Sequence, residues 1–182
     1  MHPVLTTLQQ HGFSRPIGSY GLMLTLAVLV GGALFVWRGE RMGLESGALI
    51  SSAAGTLLTG FCGAYLCSTL VLWAQLGSLR TAAGSPGIVF YGGLLGGAAG
   101  LAGWARRFDL PVLPTLDAAL PALPLAHALG RLGCWLGGCC HGAETALPWG
   151  VRYPLEHVAR HPWPLYELVL LLGLAGVFWP AR

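Results

Sequence analysis

Charged residues are so sparse along this chain that the gaps between them outline its elements. Residues 16–37 carry no charge, and neither do 46–79 or 81–105. A fourth apolar segment runs from Leu110 to about Gly138 and contains Asp117, His127 and Arg131. A fifth, from about Trp163 to Trp179, holds only Glu167. A bilayer crossing takes about 20 mostly apolar residues. The pattern therefore predicts an all-α, polytopic membrane helix bundle with about five transmembrane helices. They fall near 17–37, 51–73, 86–105, 112–132 and 163–179, in a single integral membrane domain over 1–182. The fourth is expected to split or end near Leu132. Trp37, Trp73, Trp104 and Trp179 close predicted spans and Trp163 opens one, which fits an aromatic belt. No small-residue cleavage site follows the first span, so a removable signal peptide is not expected.

Orientation follows from where the cations sit. One side collects Arg38, Arg41, Arg106, Arg107 and Arg182, and the other Arg15, Arg80, Arg152 and Arg160. Paired Arg in the short 38–45 and 106–109 loops weigh most under the positive-inside rule. Those loops are assigned to the cytoplasm. The N-terminus and the long 140–161 loop then lie outside.

Composition narrows the function classes. Only 9% of the 182 residues are charged, 54% are apolar, and no Lys occurs. Soluble domains carry roughly 25% charged residues, so an ordinary soluble enzyme, a coiled coil and a disordered chain are excluded. A net charge of +3 spread over ten Arg is too dilute for a nucleic-acid partner. Five Cys beside 28 Gly do not make a disulfide scaffold.

Chemistry must come from polar residues that lipid would otherwise exclude. A charge at mid-bilayer costs at least a few kcal/mol, so Asp117, Arg131 and Glu167 need partners or water. Arg131 suits phosphate, because a planar guanidinium binds it bidentately and stays charged. Its bland alternatives are a salt bridge to Asp117 or snorkelling to headgroups. Glu167 fits a helix N-terminus, or a pairing with Arg131 or Arg160. Gly92, Gly96 and Gly100 recur every four residues, with Gly93 and Gly97 beside them. That stripe reads as a tight helix seam or as a groove admitting a lipid headgroup.

The densest constellation runs from Gly130 through Arg131, Gly133, Cys134, Gly137, Gly138, Cys139, Cys140 and His141 to Gly142. Four glycines within the nine residues 130–138, beside an Arg, argue for a broken or re-entrant segment near 130–142, tolerated only where it lines a cavity. This is the candidate active site. Soft ligands such as Cys134, Cys139, Cys140 and His141 also suit zinc or copper. However, adjacent Cys seldom share one tetrahedral zinc, so neither a metal nor another cofactor is expected. A disulfide or a reactive thiol stays open for the cluster. Cys62 and Cys67 read as small apolar core residues.

Five blocks in order give the chain a resemblance. They are Pro16-Ile17-Gly18-Ser19-Tyr20-Gly21-Leu22-Met23, and Phe90-Tyr91-Gly92-Gly93-Leu94-Leu95-Gly96-Gly97. Next comes Asp117 leading into Gly130-Arg131-Leu132-Gly133, then Gly142, Thr145, Pro148-Trp149-Gly150-Val151 and Tyr153-Pro154. Last is Arg160-His161-Pro162 with Leu165-Tyr166-Glu167. In these the sequence resembles the prolipoprotein diacylglyceryl transferase family of bacterial inner-membrane enzymes. It departs from that pattern too. The signature's two Asn are Cys134 and Gly137, its acid is Cys139, and the family's His, Arg and Gln stand as Tyr91, Tyr65 and Pro164. The family's C-terminal helices have no counterpart in these residues.

The resemblance implies a phosphatidylglycerol-like phospholipid donor, a prelipoprotein cysteine as acceptor, and a site near the outer face of the membrane. It implies Arg131 on the lipid phosphate, with Gly92, Gly93, Asp117, Gly133, Gly142, Arg160 and Glu167 completing the substrate site. Tyr20 and Tyr91 would donate hydrogen bonds, and His141 and Glu144 are the proton acceptors. The competing reading is a non-catalytic or thiol/metal-type membrane protein that keeps the family's lipid cavity.

Overall fold

A computed structural model describes residues 4–10, 13–84, 87, 89–153 and 157–179, with backbone alone for 4–17 and 79. Pro154 of the fourth matched block and Arg182 of the cytoplasmic tally lie outside the described residues, as do residues 86 and 88 of the third predicted span. The elements are β1 (Val4–Gln10), β2 (Phe13–Gly18), α1 (Ser19–Arg41), α2 (Ser46–Leu76), α3 (Leu79–Gly84), α4 (Phe90–Arg107), α5 (Val112–Ala119), α6 (Ala122–Gly137), β3 (Val151–Arg152), β4 (Ala159–Arg160) and α7 (Trp163–Phe178). Helix dominates, as an all-α membrane bundle requires. Among the described residues, three stretches are long and apolar enough to cross a bilayer: Ser19–Arg41, Ser46–Leu76 and Val112–Gly137. Trp163–Phe178 is a shorter apolar helix. Their outward residues are apolar as well. Leu95 is 71% and Leu170 72% exposed, the surface a lipid-facing helix presents.

Contacts divide the chain into two compact units, one of Met1–Leu34 with Leu120–Arg182, the other of Phe35–Ala119. In the second unit the glycine stripe of α4 packs on α2. A Cβ at Gly92 would stand 2.5 Å from the carbonyl oxygen of Gly63, and one at Gly96 would stand 2.7 Å from that of Thr59. Only hydrogen side chains permit the backbones so close an approach, and van der Waals packing between them is one of the forces that join helices in lipid. The seam reading therefore describes Gly92 and Gly93, whose open faces are filled by α2. Glu45 caps α2, accepting from the backbone N–H of Gly47 (2.8 Å) and Ala48 (2.5 Å). Tyr65 donates to the Ala83 carbonyl (2.6 Å) and so ties α2 to α3. At the end of α1, Arg41 lies over the Trp37 ring, 4.3 Å from its centroid.

The first unit differs from the expected pattern in three places. The fourth segment divides at Leu120–Pro121, and α6 passes Leu132 to end at Gly137. Pro121 explains the division, since its ring excludes the N–H and crowds the preceding turn. Gly130, Gly133 and Gly137 stay within a regular helix. Gly133 is filled by α1, because a Cβ there would meet Met23 Cβ at 2.9 Å and Tyr20 at 3.3 Å. The chain leaves the helix at Gly138, in the left-handed region (φ 69°), which glycine adopts without penalty. Finally, β1 and β2 form an antiparallel pair, with Gln10 opposite Phe13 and Val4 opposite Gly18. This short strand pair precedes the first helix in a segment where Val4, Thr6, Thr7, Phe13 and Ile17 favour a pleated backbone.

Candidate active site

Arg131 projects from the middle of α6 and forms an ion pair through Nε with the carboxylate of Glu167, in the second turn of α7. Both side chains are half-buried, each 23% exposed. The pair answers the cost of a charge in lipid, and it realises the pairing role considered for Glu167. Its geometry is consequential. The closest approach of the carboxylate is to the inner nitrogen of the guanidinium. A half-buried guanidinium braced by one carboxylate has the planar donor set that suits a second anion.

From Arg131 to Gly137 the helix advances about 9 Å. Beyond it the chain folds back on the last turn. Cys139 N–H donates to the Cys134 carbonyl (3.1 Å), and the Cys139 thiol donates to the same oxygen (3.6 Å). Cys140 then takes a left-handed conformation (φ 58°), which non-glycine residues seldom adopt. The three sulfurs of Cys134, Cys139 and Cys140 all lie within 4.8 Å of one another as free thiols. Desolvation first, and then hydrogen bonding with Cys140, pushes the Cys139 thiol pKa up. That keeps it protonated and disfavours it as a nucleophile, since thiolate is the reactive form.

The segment between α6 and α7 is a small sheet built on the 159–161 strand. Gly142 N–H donates to the His161 carbonyl (2.9 Å), His161 N–H to Ala143 (3.0 Å), and Thr145 N–H to Ala159 (2.9 Å). On the strand's other side Val151 pairs with Arg160 and Arg152 with Ala159. Gly142 is required by this closeness, because a Cβ there would meet His161 Cβ at 2.9 Å. Arg160 sits opposite Glu144 in the pairing and forms an ion pair with it at 3.6 Å. Glu144, Thr145, Arg152 and His157 line an open groove of about 630 Å³.

Sequence reasoning missed the aromatic support beneath this loop. His161 is half-buried, with Nδ1 3.1 Å from the Tyr166 hydroxyl. Trp149 Nε1 donates to the same hydroxyl (2.9 Å). Tyr153 is buried at 3% exposure between Trp135 and His141. Its hydroxyl has no hydrogen-bond partner among the described residues. Burial, then Cys139 and Tyr166, push its phenol pKa up. The signal was present in the clustering of Trp149, Tyr153 and Tyr166 around the matched blocks, but sequence separation gave no pairing.

Most expected site residues thus fall in one unit: Tyr20, Arg131, Gly133, Cys134, Cys139, Cys140, His141, Gly142, Glu144, Arg160 and Glu167. Tyr20 opens α1 beside Gly133 of α6. Tyr91, Gly92, Gly93 and Asp117 belong to the other unit, where Tyr91 is 71% exposed and Asp117 lies exposed on α5.

Comparison with known proteins gives the family. A family model described as prolipoprotein diacylglyceryl transferase matches residues 7–182. Phosphatidylglycerol–prolipoprotein diacylglyceryl transferase 2 of Clostridium perfringens is 34% identical over 157 residues, covering 85% of this chain and 61% of the relative. The transferase of that name from Synechococcus elongatus is 32% identical over 174 residues, covering 87% and 60%. The one from Clostridium tetani is 29% identical over 196 residues, covering 100% and 75%. The chain thus spans about three-fifths of the length of the first two. By this match, and by the order of its motifs, the chain belongs to the prolipoprotein diacylglyceryl transferase family.

Proposed function

We propose that the chain transfers a diacylglyceryl group from phosphatidylglycerol to a cysteine of a prelipoprotein, at the outer face of the bacterial inner membrane. The observation that carries this reading is Arg131, a half-buried guanidinium in an apolar helix, held in place by Glu167. In the reaction the acceptor thiol gives its proton to His141 or Glu144. Its sulfur bonds to the glycerol carbon, and the carbon–oxygen bond to phosphate breaks. Glycerol phosphate leaves with the electron pair, its charge met by Arg131. Donors fixed where charge develops are the strongest lever available to such a site. Tyr20 donates to the phosphate or glycerol, and the Glu144-lined groove receives the acceptor peptide. No bound cofactor or nucleic acid enters the scheme.

The test is purified chain in phosphatidylglycerol-containing nanodiscs with a lipobox peptide. The peptide is expected to gain the mass of one diacylglyceryl group. An unmodified peptide beside folded protein that binds the lipid favours the second reading, a non-catalytic family member; the three-thiol cluster is its supporting observation.

Orientation has its own check. With single cysteines placed in intact cells, a membrane-impermeant thiol reagent is expected to label 143–161 directly. Positions in 38–45 should label only after permeabilisation. The reverse pattern would overturn the proposed topology.

A further inference from the structure

We propose that Cys134, Cys139 and Cys140 form a three-coordinate site for a soft monovalent cation of the copper(I) class. The inference stands apart from the transfer reading and uses none of its residues.

Adjacent cysteines in an extended chain point apart, which is why their spacing argues against a shared ion. The backbone here removes that obstacle. Left-handed turns at Gly138 (φ 69°) and Cys140 (φ 58°) reverse the chain over the last turn of α6, and the three sulfurs converge within 4.8 Å. With metal–sulfur bonds near 2.3 Å, a trigonal ion holds its sulfurs about 4 Å apart. The cluster must therefore contract by less than about 1 Å on loading. Cys134 is buried in the helix, while Cys139 and Cys140 are exposed and give an ion access.

The donor set selects the ion. Among the described residues, the ligand atoms that close on one another are these three sulfurs, without a carboxylate or imidazole. Thiolates favour soft ions, and structural zinc asks for a fourth ligand. Loading replaces three S–H protons by one copper(I), so three protons leave and the site carries a net charge of two minus. The nearby loop also holds a buried Tyr153 hydroxyl that is unpartnered among the described residues, the kind of donor that outer-shell support uses. Loading would fix the start of the outer loop to the end of α6.

The experiment is anaerobic titration of the reduced full chain with copper(I) against a chromophoric chelator. One copper(I) per chain is expected. Cys139→Ser and Cys140→Ser should each weaken it at least tenfold with unchanged circular dichroism, whereas Cys62→Ser, on α2 and outside the cluster, should not. Because both tested thiols are exposed, folding does not hinge on them as it does on Cys134. Absence of stoichiometric copper(I), equal affinity in the two variants, or displacement by equimolar zinc(II) would overturn the assignment.

Discussion

Arg131→Lys lowers phosphatidylglycerol binding by about tenfold or more and leaves the folded yield intact. Lysine keeps the charge, so a pairing with Glu167 survives the change. What disappears is the fork: while Glu167 holds the guanidinium in place, its planar set of N–H donors can meet two phosphate oxygens in parallel. An ammonium offers one compact cation in their place. A charge-assisted hydrogen bond contributes roughly 1.5–3 kcal/mol, and losing one gives a tenfold or larger effect. If Arg131 only braces α6 against α7, the outcome differs. Lysine then binds lipid normally, and Glu167→Gln lowers folded yield as much as any change at Arg131. Lipid binding and folded yield, measured for both variants side by side, separate the two roles.

Gly92→Leu abolishes folded protein. A Cβ at this position meets Cys67 Cβ, the Gly63 carbonyl oxygen at 2.5 Å and Ala64 Cα at 3.2 Å. Two of the three are backbone atoms that cannot rotate away, so α2 and α4 must separate. Overpacking a core costs about 1–3 kcal/mol when side chains can yield, and a clash with backbone exceeds the upper end. Gly103→Leu on the same helix is the control, because nothing stands within 4 Å of a Cβ there. Monodisperse yield after detergent extraction reads the difference. Comparable yields for the two would mean that the seam is not a principal contact.

The helices were legible because lipid tolerates so few charges: the charge-poor runs read as helices, and α1, α2, α4 and α7 cover the expected segments to within about five residues at each end. Where chemistry at single residues decided the outcome, the pattern misled. Glycine content near 130–138 suggested broken backbone, yet Tyr20 and Met23 of α1 occupy the space beside Gly133 and hold it helical. The actual division was written at Pro121, whose ring leaves no alternative. Arg131 stood out by its rarity in an apolar run. Its partner did not, because Asp117 is nearer in sequence, while Glu167 arrives through the packing of α6 on α7. The convergence of the three thiols was equally hidden: it depends on a left-handed Cys140, a conformation that residue type does not advertise.

The measurement closest to the central claim follows the leaving group. Folded chain is given phosphatidylglycerol labelled in its glycerol headgroup, together with a lipobox peptide carrying either Cys or Ser at the acceptor position. Release of labelled glycerol phosphate with the Cys peptide, near background with the Ser peptide, and strongly reduced in Arg131→Lys, is the predicted result. No release from wild-type protein that binds the lipid, or equal release with either peptide, would contradict it.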